Sequence, residues 1–190
     1  MNIIQDQTFD QERALYGQTG LLVENCRFDG PADGESAFKE CRNITVTDSF
    51  FNFRYPFWHD AGLSLRRCEL TELCRAALWY TEDVSIADCK LHGIKALREC
   101  GGVRIENSDI LSAEFGWFTR GMQMTDCTAQ GEYFMLRSRD LHLQNVRFKG
   151  KYSFQYMENV EIRNSYLDTK DAFWHSKNVT VINSVVKGEY

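Results

Sequence analysis

Short apolar pairs recur along the chain at a nearly fixed interval, each pair split by one polar residue and followed by a polar corner. The segments NITVTDSFF from Asn43, DVSIADCKL from Asp83, GVRIENSDI from Gly102, NVEIRNSYL from Asn159 and NVTVINSVV from Asn178 are versions of one pattern, and DLHLQNVRF from Asp140 is a close relative. Counted at the first apolar position, the copies start at Ile44, Leu63, Val84, Val103, Met122, Leu141, Val160 and Val179, in steps of 19 residues with a single step of 21. A fixed period near 20 residues marks a solenoid and overrides any local reading of helix or strand.

Each column of the repeat has its own chemistry. The residue before each start is Asn43, Gly62, Asp83, Gly102, Gly121, Asp140, Asn159 or Asn178, types that tolerate the left-handed backbone of a tight corner. Two positions after each start comes a second apolar residue, such as Val46, Ile86, Ile105 or Ile162, the period-two alternation of a strand with one face inward. A polar corner follows (Asp48, Arg67, Asp88, Asn107, Asp126, Asn145, Asn164, Asn183), then a small residue and another apolar one, with glycine frequent two further on at Gly93, Gly131, Gly150 and Gly188. A third apolar segment, such as RAALW from Arg75 or DAFW from Asp171, closes the coil.

The pattern predicts an all-β chain, a right-handed single-stranded parallel β-helix of about nine coils of ~19 residues, forming a single domain over residues 1–190. At the N-terminus, Phe9, Ala14 and Leu15 match Phe28, Ala37 and Phe38 if GPAD around Pro31 is an insertion. At the other end NVTVINSVVKGEY stops after two strands of its coil. That reads as a missing C-terminal cap, completed by further coils beyond Tyr190 or by a second subunit in a homo-oligomer. Leucine-rich repeats are excluded by the β-branched pairs and the Asn or Asp corner. A left-handed hexapeptide helix, the home of acyltransferases, is the alternative. It accounts for the spacing Leu167 to Phe173 to Val179, but Val160/Ile162 and Ser165/Leu167 fit three strands per coil better.

Composition narrows the function classes. The 27 acidic against 22 basic residues leave a net charge of -5, and no local run of Lys or Arg stands out, which argues against nucleic acid and anionic lipid as partners. No apolar run is long enough to span a membrane, and the start MNIIQDQTFDQER lacks the pattern of a signal peptide, so the expected location is cytoplasmic. The seven cysteines form no C-x-x-C pair, so no cofactor and no metal are expected. Cys26, Cys68, Cys89 and Cys127 share a column with Ser49, Ser108, Ser165 and Ser184 and read as a packing ladder, whereas Cys41 and Cys100 lie near coil ends and are the expected accessible thiols.

The runs YPFWH from Tyr55, CRAALWY from Cys74, LHGIKALREC from Leu91, GKYSFQY from Gly150 and DTKDAFWHSKNVTV from Asp168 resemble an uncharacterised bacterial family of right-handed β-helices with a domain-of-unknown-function label. The resemblance covers essentially the whole chain and implies a pectin-lyase-like solenoid. Some members carry a hydrogenase label, which the absence of paired C-x-x-C ligands here does not support.

Candidate chemistry concentrates in the third segment of each coil. Its apolar column, from Leu15 and Phe38 to Phe154 and Phe173, is a core ladder, and the next position reads Tyr16, Lys39, Trp58, Trp79, Arg98, Trp117, Leu136, Gln155 and Trp174, with all four tryptophans in one column. Alternation turns that column outward; a rotated strand would instead place the indoles in the core, and a loop or second subunit would cover them. An outward face is a platform for saccharide rings or a protein partner, with Arg98 and Arg137 as hydrogen-bond donors and His59, Tyr80, Tyr156 and His175 beside them. Under this reading the protein is a carbohydrate- or partner-binding module. The alternative is a polysaccharide lyase or glycoside hydrolase, for which Asp168, Lys170, Asp171 and His175 are the candidate catalytic residues.

Overall fold

In a computed structural model describing residues 2–189, the chain is a parallel β-solenoid with no helix among the described residues. Two ten-stranded parallel sheets run along it, and a three-stranded sheet forms part of a third face. Each strand pairs with its counterparts one coil before and one coil after. Val84 lies between Leu63 and Val103 in the first sheet, and Leu91 between Leu70 and Ile110 in the second. Thus the columns read from the sequence are physical columns, each running along the solenoid axis.

The described residues form ten rungs, in keeping with the nine or so coils expected from the repeat. The strands Asn2–Gln5 and Thr8–Phe9 pair in register with the next coil, Asn2 against Leu21 and Phe9 against Phe28. This is the rung to which the match of Phe9 with Phe28 assigned the N-terminus; its first inward position is Asn2, a polar residue admissible where only one neighbouring rung packs against it. The insertion around Pro31 is present: Leu15 N–H donates to Ala37 O at 2.8 Å, 22 residues on rather than 18. The expectation of further coils beyond Tyr190 lies outside the described residues.

The inward columns fill one continuous core in which like side chains stack on like. Phe28 and Phe51 are parallel with centroids 4.6 Å apart, and Phe115 lies 4.8 Å from Phe134. The small-residue column between the two long sheets shows why serine and cysteine alternate there. Ser49 Oγ accepts the Cys26 N–H at 3.0 Å and donates to Thr47 O at 2.8 Å, and Ser108 does the same for Cys89 and Glu106. Where cysteine replaces serine, Cys89 Sγ accepts the Cys68 N–H at 3.3 Å. These corner N–H groups face away from both ladders and would otherwise be buried without a partner.

The outer corner column is left-handed throughout, from Asp6 (φ 56°) through Asp88 (57°) and Asn107 (43°) to Asn183 (47°). It is also paired along the axis: Asn25 Nδ2 donates to Asp6 at 2.6 Å, Asn107 to Asp88 at 2.6 Å and Asn145 to Asp126 at 2.5 Å, while Arg67 grips Asp48 through two bonds of 2.6 and 2.7 Å. From Asp6 to Asn145 acceptor and donor alternate from coil to coil, which avoids stacking like charges. The Arg67 guanidinium holds the Asp48 carboxyl below its ordinary range.

All seven cysteines are buried. This corrects the expected accessibility of Cys41 and Cys100: both point into the core, and burial pushes each thiol up to about 12.

Candidate functional site

The third face is a strand in only part of the solenoid. Phe57–Trp58, Leu78–Trp79 and Leu97–Arg98 pair as one small parallel sheet, and a single bridge links Arg98 to Trp117. Beyond this point the inward residue takes a left-handed backbone, at Gly116 (φ 76°), Met135 (61°), Phe154 (58°) and Phe173 (61°), and the strand gives way to turns. Since Met135, Phe154 and Phe173 adopt the same backbone, φ alone does not demand glycine at 116; there a Cβ would fall 2.0 Å from Met135 Sδ.

The tryptophan column faces outward. Phe57 and Leu78 are buried, whereas Trp58, Trp79 and Trp117 are half-buried and Trp174 is 58% exposed. Successive side chains lie along the axis as a ladder. Lys39 Nζ sits 4.4 Å above the Trp58 ring, Trp58 stacks on Trp79 at 5.7 Å and 14°, and the Arg98 guanidinium lies 5.6 Å from Trp79 and 5.5 Å from Trp117. Coplanar indoles side by side could not approach so closely, so their faces overlap along the axis. The ladder presents its edges outward. Trp79 Nε1 donates to Glu99 Oε1 at 3.4 Å, Arg98 Nε to the same oxygen at 3.0 Å, and Trp117 Nε1 to Tyr133 O at 2.6 Å.

The neighbouring column lies at the corner, with His59, Tyr80, Glu99, Phe118, Arg137, Tyr156 and His175 all at positive φ. It too is stacked: His59 on Tyr80 at 4.9 Å, Tyr156 on His175 at 4.9 Å, and Arg137 over Tyr156 at 5.0 Å. Trp174 meets His175 edge-on at 85°. It thus differs from Trp58 and Trp79, each of which lies nearly parallel to a neighbouring indole.

The candidate catalytic group does not converge. Asp168 and Lys170 line a groove on the outer surface of the second sheet, while His175 is stacked on Tyr156 at the third face. Among the described residues the histidines that approach a carboxylate are His92, 2.6 Å from Asp109, and His142, 3.9 Å from Glu161. Asp60, next to His59 in sequence, turns inward and accepts the Cys41 N–H at 2.7 Å. No three His, Cys, Asp or Glu side chains among the described residues are placed to hold a metal ion.

A family described as "Protein of unknown function (DUF3737)" matches residues 2–190. The chain belongs to this family. No curated protein matches it. Among solved structures, the chain is similar to the Streptococcus pneumoniae surface protein and adhesin PfbA, with a TM-score of 0.48 and 13% identity over 99% of this chain and 65% of that one. It is also similar to the catalytic domain of a GH87 alpha-1,3-glucanase in complex with nigerose, with a TM-score of 0.30 and 9% identity over 99% of this chain and 61% of that one. The DUF3737 chain thus spans just under two thirds of the length of either structure. As a DUF3737 member it is a parallel β-solenoid, and its function has to be argued from its surface.

Proposed function

We propose that this DUF3737 chain is a binding module whose third face receives a partner protein along the ladder from Lys39 to Trp117. The observation that carries the reading is the outward row of stacked, half-buried indoles. An apolar strip of this kind on a solvent-facing surface is costly unless covered, and Trp and Arg are the residues that anchor protein interfaces. The stacking favours protein over saccharide along this stretch. A sugar ring needs a free aromatic face, and those of Trp58 and Trp79 are taken up by Lys39, Arg98 and each other. Ring edges and the Arg98–Glu99 pair remain, while the Trp79 and Trp117 N–H groups are bonded within the chain and that of Trp58 is buried, and such a surface suits the side chains of a protein.

One observation supports a saccharide contact elsewhere on the same face. Trp174 is the most exposed of the four indoles and meets its neighbour His175 edge-on, with Tyr156 and Arg137 nearby. The test is a comparison of Trp79→Ala and Trp174→Ala in a pull-down from bacterial lysate with mass-spectrometric identification, paired with a glycan array. The partner reading expects one protein captured by the unmodified chain and by Trp174→Ala but lost with Trp79→Ala. Capture unaffected by Trp79→Ala refutes it, and glycan binding that needs Trp79 overturns the preference for protein.

A further inference from the structure

Two adjacent columns of the third face form one continuous strip. Over six successive coils the ladder runs Lys39, Trp58, Trp79, Arg98, Trp117, Leu136, and the corner column beside it runs Glu40, His59, Tyr80, Glu99, Phe118, Arg137. The corner side chains lean along the ladder: the Trp79 and Tyr80 rings lie 5.4 Å apart at 15°, and the Arg98 guanidinium lies 5.9 Å from the Phe118 ring. Apolar surface therefore extends onto the corner, where Tyr80 is 38% and Phe118 45% exposed.

In the middle of the strip Arg98 and Glu99 pair with each other at 3.0 Å. Glu40 and Arg137, at opposite ends of the corner column, have no ion-pair partner among the described residues; Glu40 accepts the Tyr16 hydroxyl at 2.8 Å, and Arg137 lies over Tyr156 at 5.0 Å. Five coil steps of about 4.8 Å put them about 24 Å apart, too far to meet within one chain. Turned end over end, however, the strip matches itself. Reversal about the point between the coils of Trp79 and Arg98 sets Glu40 against Arg137 at both ends, Tyr80 against Glu99, Trp58 against Trp117 and Lys39 against Leu136, and no charge meets its like. A slip of one coil toward the C-terminal end would set Arg98 on Arg98 and Glu99 on Glu99, and a slip the other way would part Glu40 from Arg137 and leave it against Phe118.

We infer that the protein received by the third face is a second copy of this chain, packed antiparallel about a two-fold axis that lies in the interface and crosses the strip between Trp79 and Arg98. The inference rests on the reading that the ladder binds a protein, and it names that protein. An isologous contact has to be self-complementary about its axis, whereas a foreign partner would require no relation between the charges of the Glu40 and Arg137 coils. Charges at the rim fix register, because a wrong register brings like charges together. The half-buried indoles lie nearer the centre of the strip, where the anchoring residues of an interface belong.

Sedimentation velocity of the full chain reads the outcome against the 22.1 kDa of a single copy. A dimer is expected, with self-association weakened roughly tenfold or more by each of Trp79→Ala, Glu40→Arg and Arg137→Glu. Mixing the Glu40→Arg and Arg137→Glu proteins one to one should restore the dimer, because both corner contacts of the mixed pair then join opposite charges. Such rescue also excludes misfolding as the reason that either variant dissociates alone. A monomer at up to about 100 μM, a dimer indifferent to these changes, or no rescue on mixing overturns the inference. If the chain stays monomeric while Trp79 is needed to capture a different protein from lysate, this inference falls and the partner reading stands; if neither occurs, both fall.

Discussion

Asp60 offers a sharp test of how the inner corner works. Its side chain is 2% exposed and occupies a column held elsewhere by Ser138 and Ser176. Each serine hydroxyl there accepts the N–H of the preceding coil and donates onward, Ser138 to Gly116 O at 2.5 Å and Ser176 to Phe154 O at 2.6 Å. Asp60 Oδ1 reproduces the first bond, to the Cys41 N–H at 2.7 Å, but Oδ2 finds no partner. Burial therefore pushes the carboxyl up to about 8. An unfolded aspartate ionises near pH 3.9, so between about pH 4 and 8 the folded state binds the extra proton and stability falls as pH rises, by about 1.4 kcal/mol per pH unit. Replacing Asp60 by Ser removes that proton and supplies a hydroxyl suited to both bonds. Urea unfolding of both proteins at about pH 5.5 and 7.5 should show the unmodified chain losing roughly 2 to 3 kcal/mol more than Asp60→Ser between the two conditions. Asp60→Ser should be the more stable protein at the higher pH. Parallel pH dependences, or a variant less stable at about pH 7.5, would refute the account of Asp60 as a buried neutral acid.

Other outcomes follow from the same geometry. Native protein should react with Ellman's reagent at none of its seven thiols until denaturant is added, because all are buried and Cys41, Cys74 and Cys100 are pushed up to about 12; rapid labelling of any of these three would contradict the packing. Gly131→Ala, which aims a methyl at Ser112 O, should lower stability by about 1 to 3 kcal/mol, read from the urea midpoint. Asn107→Asp, which stacks three carboxylates at Asp88, position 107 and Asp126, should destabilise by roughly 0.2 to 1 kcal/mol, and added salt should recover much of the loss. Trp79→Ala should cost less than the roughly 3 to 5 kcal/mol of a fully buried tryptophan, since only part of the ring is covered; a loss in that range would mean that the ladder is structural core.

The solenoid was legible because its rules are local: period-two alternation gave the strand faces, and left-handed-tolerant residues marked the corners. The same parity argument turned Trp58, Trp79, Trp117 and Trp174 outward only if alternation held, and it left a rotated strand with the indoles in the core open. What it could not supply was the orientation of each ring about its own side-chain bonds, which depends on Lys39 and Arg98 one coil away. Asp60 is adjacent to His59 in sequence, yet the left-handed backbone at His59 turns the chain at that corner and Asp60 points inward to the Cys41 N–H. His175 and Asp168 looked close for a similar reason and lie on different faces of the coil.

The alternating acid and donor of the outer corner sets a unit for changes of length. Excising the single coil that carries Asn107 would bring Asp88 onto Asp126, two acids with no donor between them. Excising two coils, with Asn107 and Asp126 together, would bring Asp88 onto Asn145 and restore an acceptor and donor in contact. In this part of the solenoid, growth and shortening should therefore proceed in steps of two coils. The duplication unit would be about 38 residues, twice the repeat seen in the apolar columns.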